Sequence, residues 1–69
     1  MSDKVYAISE VAGSSSKSIE DAIENAVKTA SKSIRNLDWF EVKEIRGYIE
    51  GDKPKYYQVV CKLGFRYEG

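Results

Sequence analysis

The chain has 69 residues, 11 Lys and Arg against 11 Asp and Glu, no His and one Cys, so its formal net charge is zero. These counts exclude imidazole acid–base relays, an intrachain disulfide and multi-Cys metal cages. The charge balance argues against a general binder of nucleic acid or of anionic membranes. A domain this short buries only about 60% of its unfolded surface and usually needs a staple. With disulfides and metals poorly supported, association with further copies is the expectation from length alone. No apolar run approaches the ~20 residues of a membrane span. The opening Met1-Ser2-Asp3-Lys4 lacks the long apolar region of a signal peptide, and the free thiol of Cys61 fits a reducing compartment. A cytoplasmic location follows as the expectation.

Residues 4–11 are rich in β-branched and aromatic side chains and read as a first strand. The cluster Ala12-Gly13-Ser14-Ser15-Ser16 reads as a turn, with Ser15 as the favoured cap of the next element. Glu20 and Asp21 then fall near the positive helix end. Ile19, Ala22, Ile23, Ala26, Val27, Ala30, Ile34 and Leu37 recur at spacings of three and four, which predicts an amphipathic helix stopping near Arg35-Asn36. Three Ala in that stripe allow a sheet to approach closely.

Residues 38–50 read as a second strand whose apolar parity switches between Val42 and Ile45. A regular strand with one buried face cannot do this. A β-bulge, a strong twist or burial on both faces would resolve it. Gly51-Asp52-Lys53-Pro54 reads as a turn, and residues 55–67 as a third strand with Tyr57, Val59, Cys61, Leu63, Phe65 and Tyr67 on one face. The order β-α-β-β, with a right-handed crossover, predicts a three-stranded antiparallel sheet in the order 1-3-2 with the helix on one face. It is a single α+β domain over 1–69. The other face has no covering element in this chain, so a partner subunit is expected there.

Few residues stand out chemically. Trp39, at an element boundary beside Asp38, is either a core or interface aromatic or a stacking platform for a planar heterocycle. Gln58 interrupts an apolar run, as a solvated strand residue or as an amide that reads a polar ring edge. Arg46 is either an ion-pair partner of Glu44 or Glu50 or a forked donor to phosphate or carbonyl. Lys4 and Arg66 are expected as neighbours across the first and third strands. Gly13-Ser14-Ser15-Ser16 lacks the lysine and glycine spacing of a phosphate loop. Cys61 falls on the apolar parity of its strand, which points to a buried thiol.

Two stretches, Asp38-Trp39-Phe40-Glu41-Val42-Lys43-Glu44-Ile45-Arg46-Gly47 and Tyr57-Gln58-Val59-Val60-Cys61-Lys62-Leu63-Gly64-Phe65-Arg66, resemble the signature of bacterial dodecins. Lys4-Val5-Tyr6 and Gly13-Ser14-Ser15 extend the likeness to essentially the whole chain. The resemblance implies a β-α-β-β subunit of a hollow homododecamer with tetrahedral symmetry that stores, buffers and photoprotects flavin, with no enzymatic turnover. It implies FMN, riboflavin or a related flavin as ligand. Symmetry-related Trp39 side chains would sandwich a pair of flavins, Gln58 would hydrogen-bond the ring's polar edge, and Arg46 and Asp38 would line the site. Some members also bind coenzyme A, which would place Lys4, Tyr6 and Arg66 at a second ligand. There the chain departs from the pattern: Thr29 stands where many relatives have Arg, and Tyr67 where Leu is common. The resemblance would also place Tyr48 at a variable position near the flavin entrance.

Overall fold

The computed structural model describes residues 3–67. The chain runs β1 (Tyr6–Ser15), α1 (Ile19–Ala30), β2 (Leu37–Glu50) and β3 (Lys53–Arg66). The strands form one antiparallel sheet in the order β1-β3-β2, as the sequence predicts. Among the described residues no helix is long and apolar enough to cross a membrane.

Local chemistry moves several boundaries. β1 continues through the small-residue cluster to Ser15 instead of turning at Ala12, because Gly13, Ser14 and Ser15 pair with Val59, Gln58 and Tyr57. The helix cap is therefore Ser18, not Ser15: the Asp21 N–H donates to Ser18 Oγ at 3.0 Å. Ser15 instead closes the turn ahead of the helix. Its hydroxyl donates to the Asp21 carboxylate at 2.7 Å and accepts the Lys17 N–H at 2.9 Å. The helix ends at Ala30, earlier than the apolar stripe, but Ile34 and Leu37 still pack on the core from beyond it. Asn36, at φ 64°, turns the chain into β2, and its carbonyl accepts the Arg66 N–H at 3.1 Å. The hairpin turn is only Gly51-Asp52, since Lys53 and Pro54 already pair with Glu50 and Ile49. Pro54 is tolerated because it sits at a register irregularity.

The core lies between α1 and the middle of the sheet. Ala22, Ala30, Val59, Cys61 and Leu63 are its buried members. The approach of helix to β1 is closer than ordinary side-chain packing: a Cβ at Gly13 would overlap the Ala22 carbonyl oxygen and lie 2.8 Å from Ala26 Cβ. Cys61 is fully buried, and that burial pushes its thiol above the ordinary value of 9.0. The folded state thus holds the proton more tightly than the unfolded chain. Stability is expected to fall as pH rises past the thiol's ordinary range. At neutral pH a thiol-reactive dye should label Cys61 only in denaturant; fast labelling of the native protein would contradict its burial.

The parity switch of β2 is a β-bulge. Val42 pairs with Cys61 and Glu44 with Val60, which leaves Lys43 as the extra residue. Phe40, Val42 and Ile45 consequently all stand opposite core residues of β3: Leu63, Cys61 and Val59. Yet they remain 50%, 39% and 53% exposed, an apolar row that the described residues leave half open. The shape agrees. The radius of gyration is 14.4 Å, with extents of 56 × 20 × 14 Å, against about 11 Å expected for a compact chain of this length.

Candidate functional site

Register assigns each candidate to a face, because directly paired residues point the same way. Val59, Cys61 and Leu63 face the helix, so the even-numbered residues of β3 face away. A second β2 irregularity decides where Trp39 goes. Leu37 pairs with Phe65 and Trp39 with Gly64, so Asp38 is an extra residue between them. In a regular strand Leu37 and Trp39, two residues apart, would share a face. The irregularity at Asp38 turns Leu37 into the core and Trp39 onto the helix-free face.

That face has three zones. At one end Trp39 lies over Gly64. A Cβ built there would overlap the indole, nearly equidistant from Cε2, Cζ2 and Cη2. Three consecutive ring atoms at similar range mean that the ring lies face-down on the strand. Tyr6, opposite Arg66 on the far strand, meets the indole edge-on, with centroids 5.2 Å apart and planes at 64°. Trp39 is still 41% exposed, so its outer face is open. The middle zone is a charged band of Glu10, Lys62 and Glu41 in one cross-sheet row, joined by Lys43, whose Nζ lies 3.1 Å from Glu10 Oε2. The other end carries the row Ser14, Gln58 and Arg46. Gln58 Nε2 donates to Ser14 Oγ at 3.5 Å, and Arg46 Nη2 to Glu44 Oε1 at 2.8 Å. Beside this row Tyr48 stacks on its cross-strand partner Tyr56, centroids 4.6 Å apart.

The structure thus brings Arg46 and Gln58 together and places Trp39 on the same face, but far off. Gly64 and Gln58 are six residues apart on β3, about 20 Å. No three-ring heterocycle spans that from one chain. Asp38 joins Trp39 at a cleft on the helix side that also involves Val27, Leu37, Phe40 and Leu63. Its volume is ≈ 120 Å³, below the ~300 Å³ at which ligand pockets begin. At the base of the sheet Arg66 lines an open groove with Ser33, Ile34, Arg35, Asn36, Phe65 and Tyr67. Arg66 pairs with Tyr6, while Lys4 precedes β1 and so is not its direct cross-strand partner. Thr29 lies on a separate groove between α1 and β1. Sequence reasoning missed two roles: Gly64 as the floor under Trp39, and Tyr6 as its wall. Both depend on the extra residue Asp38, which no spacing in the sequence reveals.

Comparison with known proteins places the chain in a family. The family model Dodecin matches residues 5–68. The chain is 52% identical over 65 residues to a dodecin of Thermus thermophilus, covering 94% of each. It superposes on a dodecin structure from Streptomyces coelicolor with a TM-score of 0.93 at 46% identity, covering 100% of this chain and 99% of that one. A dodecin from Streptomyces davaonensis gives 0.92 at 37% identity, covering 99% of this chain and 100% of the other. A fold match and a chain-long sequence match thus coincide, and the chain belongs to the dodecin family.

Proposed function

We propose that this chain stores, buffers and shields FMN, riboflavin or a related flavin as a cytoplasmic homododecamer, binding the ring on Trp39. One observation carries the reading: an indole pinned face-down on a glycine, with its outer face open, on a sheet face that no element of the chain covers. The residues fit a flat ring. Indole offers an electron-rich plane for stacking, which is indifferent to the ligand's tail. Gln58 and Arg46 offer an amide and a guanidinium to polar groups. Their distance from Trp39 means that a complete site draws them from a neighbouring copy. Since the inner face of each indole is taken by its own strand, each Trp39 stacks on one ring only. Two copies related by a twofold axis then bracket a pair of rings. The stoichiometry is one flavin per chain.

The bound ring supplies light absorption and redox capacity; the chain's residues hold it and exclude water. Asp38 flanks Trp39 but lines the cleft on the helix side, away from the open indole face, and the chain has no His, so binding without turnover is the reading. Titration of FMN with the purified protein should quench flavin fluorescence with an end point near one per chain. Light scattering should give a mass near twelve chains. Unchanged fluorescence at micromolar protein would refute the reading, and an oligomer with that result would be a structural module. A stable 7.8 kDa monomer would refute both. Substrate-dependent bleaching of the flavin would indicate an enzyme instead.

A further inference from the structure

We infer that Gly64 and Tyr6 are positioning residues that set the plane of Trp39 before any ligand arrives; this rests on Trp39 being the flavin platform. The indole sits at the edge of the assembled core, on an exposed strand end, where a half-exposed ring ordinarily samples several rotamers. Here two contacts remove that freedom. Below, the missing Cβ of Gly64 lets the benzo ring lie on bare backbone, and any side chain there would occupy the ring's place. At the side, Tyr6 meets the ring in the edge-to-face geometry that aromatic quadrupoles favour. Because Gly64 is empty, the indole reaches across β3 to touch a residue of β1, although β1 and β2 are not paired. The platform therefore spans the whole sheet. A platform already ordered in its binding orientation loses less side-chain entropy when a ring stacks on it.

The same arrangement separates Tyr6 from a purely second-ligand role. Its ring touches Trp39 directly, and its backbone stands opposite Arg66. Removing the ring should loosen the indole whether or not anything binds at Arg66.

The test uses the one Trp of the chain, so its emission reports on this position alone. In the flavin-free parent, Trp39 should show high anisotropy and a structured near-ultraviolet dichroism band. Gly64→Ala should weaken both and raise the FMN dissociation constant about tenfold or more, with the assembled mass unchanged. Tyr6→Ala should lower the anisotropy and weaken FMN binding about two- to tenfold. Tyr6→Phe keeps the ring edge and should restore both. If Gly64→Ala fails to assemble, the Tyr6 pair decides alone. Parental anisotropy and affinity in Tyr6→Ala, or in an assembled Gly64→Ala, would overturn the inference. If the parent itself leaves FMN fluorescence unchanged, the flavin reading fails, while the anisotropy series still judges the brace.

Discussion

Gly13→Ala is expected to lower the thermal midpoint of the protein by about 15 °C or more. The argument is steric. A methyl at this site meets the carbonyl oxygen of Ala22 and approaches Ala26 Cβ to 2.8 Å. Neither is the end of a flexible side chain, so relief requires the helix to move off the sheet. Overpacking of this kind costs roughly 1–3 kcal/mol, and a backbone contact belongs at the upper end. For a domain of 60–100 residues each kcal/mol shifts the midpoint by about 4–8 °C. The stripe of Ala22, Ala26 and Ala30, all buried, is useful only at this short separation; lifting the helix opens voids along it. Thr29→Ala, at an exposed position in the groove between α1 and β1, is the control and should be nearly neutral. Thermal melts followed by far-ultraviolet dichroism decide, and a Gly13→Ala midpoint within a few degrees of the parent would refute the close-contact account.

How much of this was legible beforehand depends on the kind of signal. The helix was plain because Ile19, Ala22, Ile23 and Ala26 repeat at helical spacing. The bulge at Lys43 was half legible: the parity switch from Val42 to Ile45 demanded an irregularity but did not choose among bulge, twist and two-sided burial. The register chose. The cap was misread because Ser15 and Ser18 carry the same side chain. Which one caps depends on how far β1 stays paired with β3, a long-range fact. The irregularity at Asp38 left no trace in the pattern, since Leu37 and Trp39 are both apolar and would suit either face. Hence Trp39 could be named from sequence, but not its floor Gly64, its neighbour Tyr6, or its distance from Gln58.

That distance also shapes what Trp39→Ala should do. Stacking on an aromatic side chain is worth about 1–3 kcal/mol by alanine substitution, so FMN should bind roughly 5- to 150-fold more weakly, and whatever still binds should keep its fluorescence. The fold should survive. Trp39 is 41% exposed and touches the core only at its edge, so its removal costs less than the ~3–5 kcal/mol of a fully buried Trp. An assembled mass equal to the parent's is therefore expected, which separates lost stacking from lost structure. In a symmetric assembly one substitution removes the platform from every copy, so no site is left half intact. Gln58→Ala should behave differently. It removes a neutral hydrogen bond worth about 0.5–1.5 kcal/mol and leaves the indole in place: affinity falls, but bound flavin stays dark. Arg46→Ala should weaken FMN more than riboflavin if the guanidinium leaves Glu44 for the phosphate. Full quenching of FMN by Trp39→Ala would mean that the ring binds elsewhere, and the open indole would then be an interface residue.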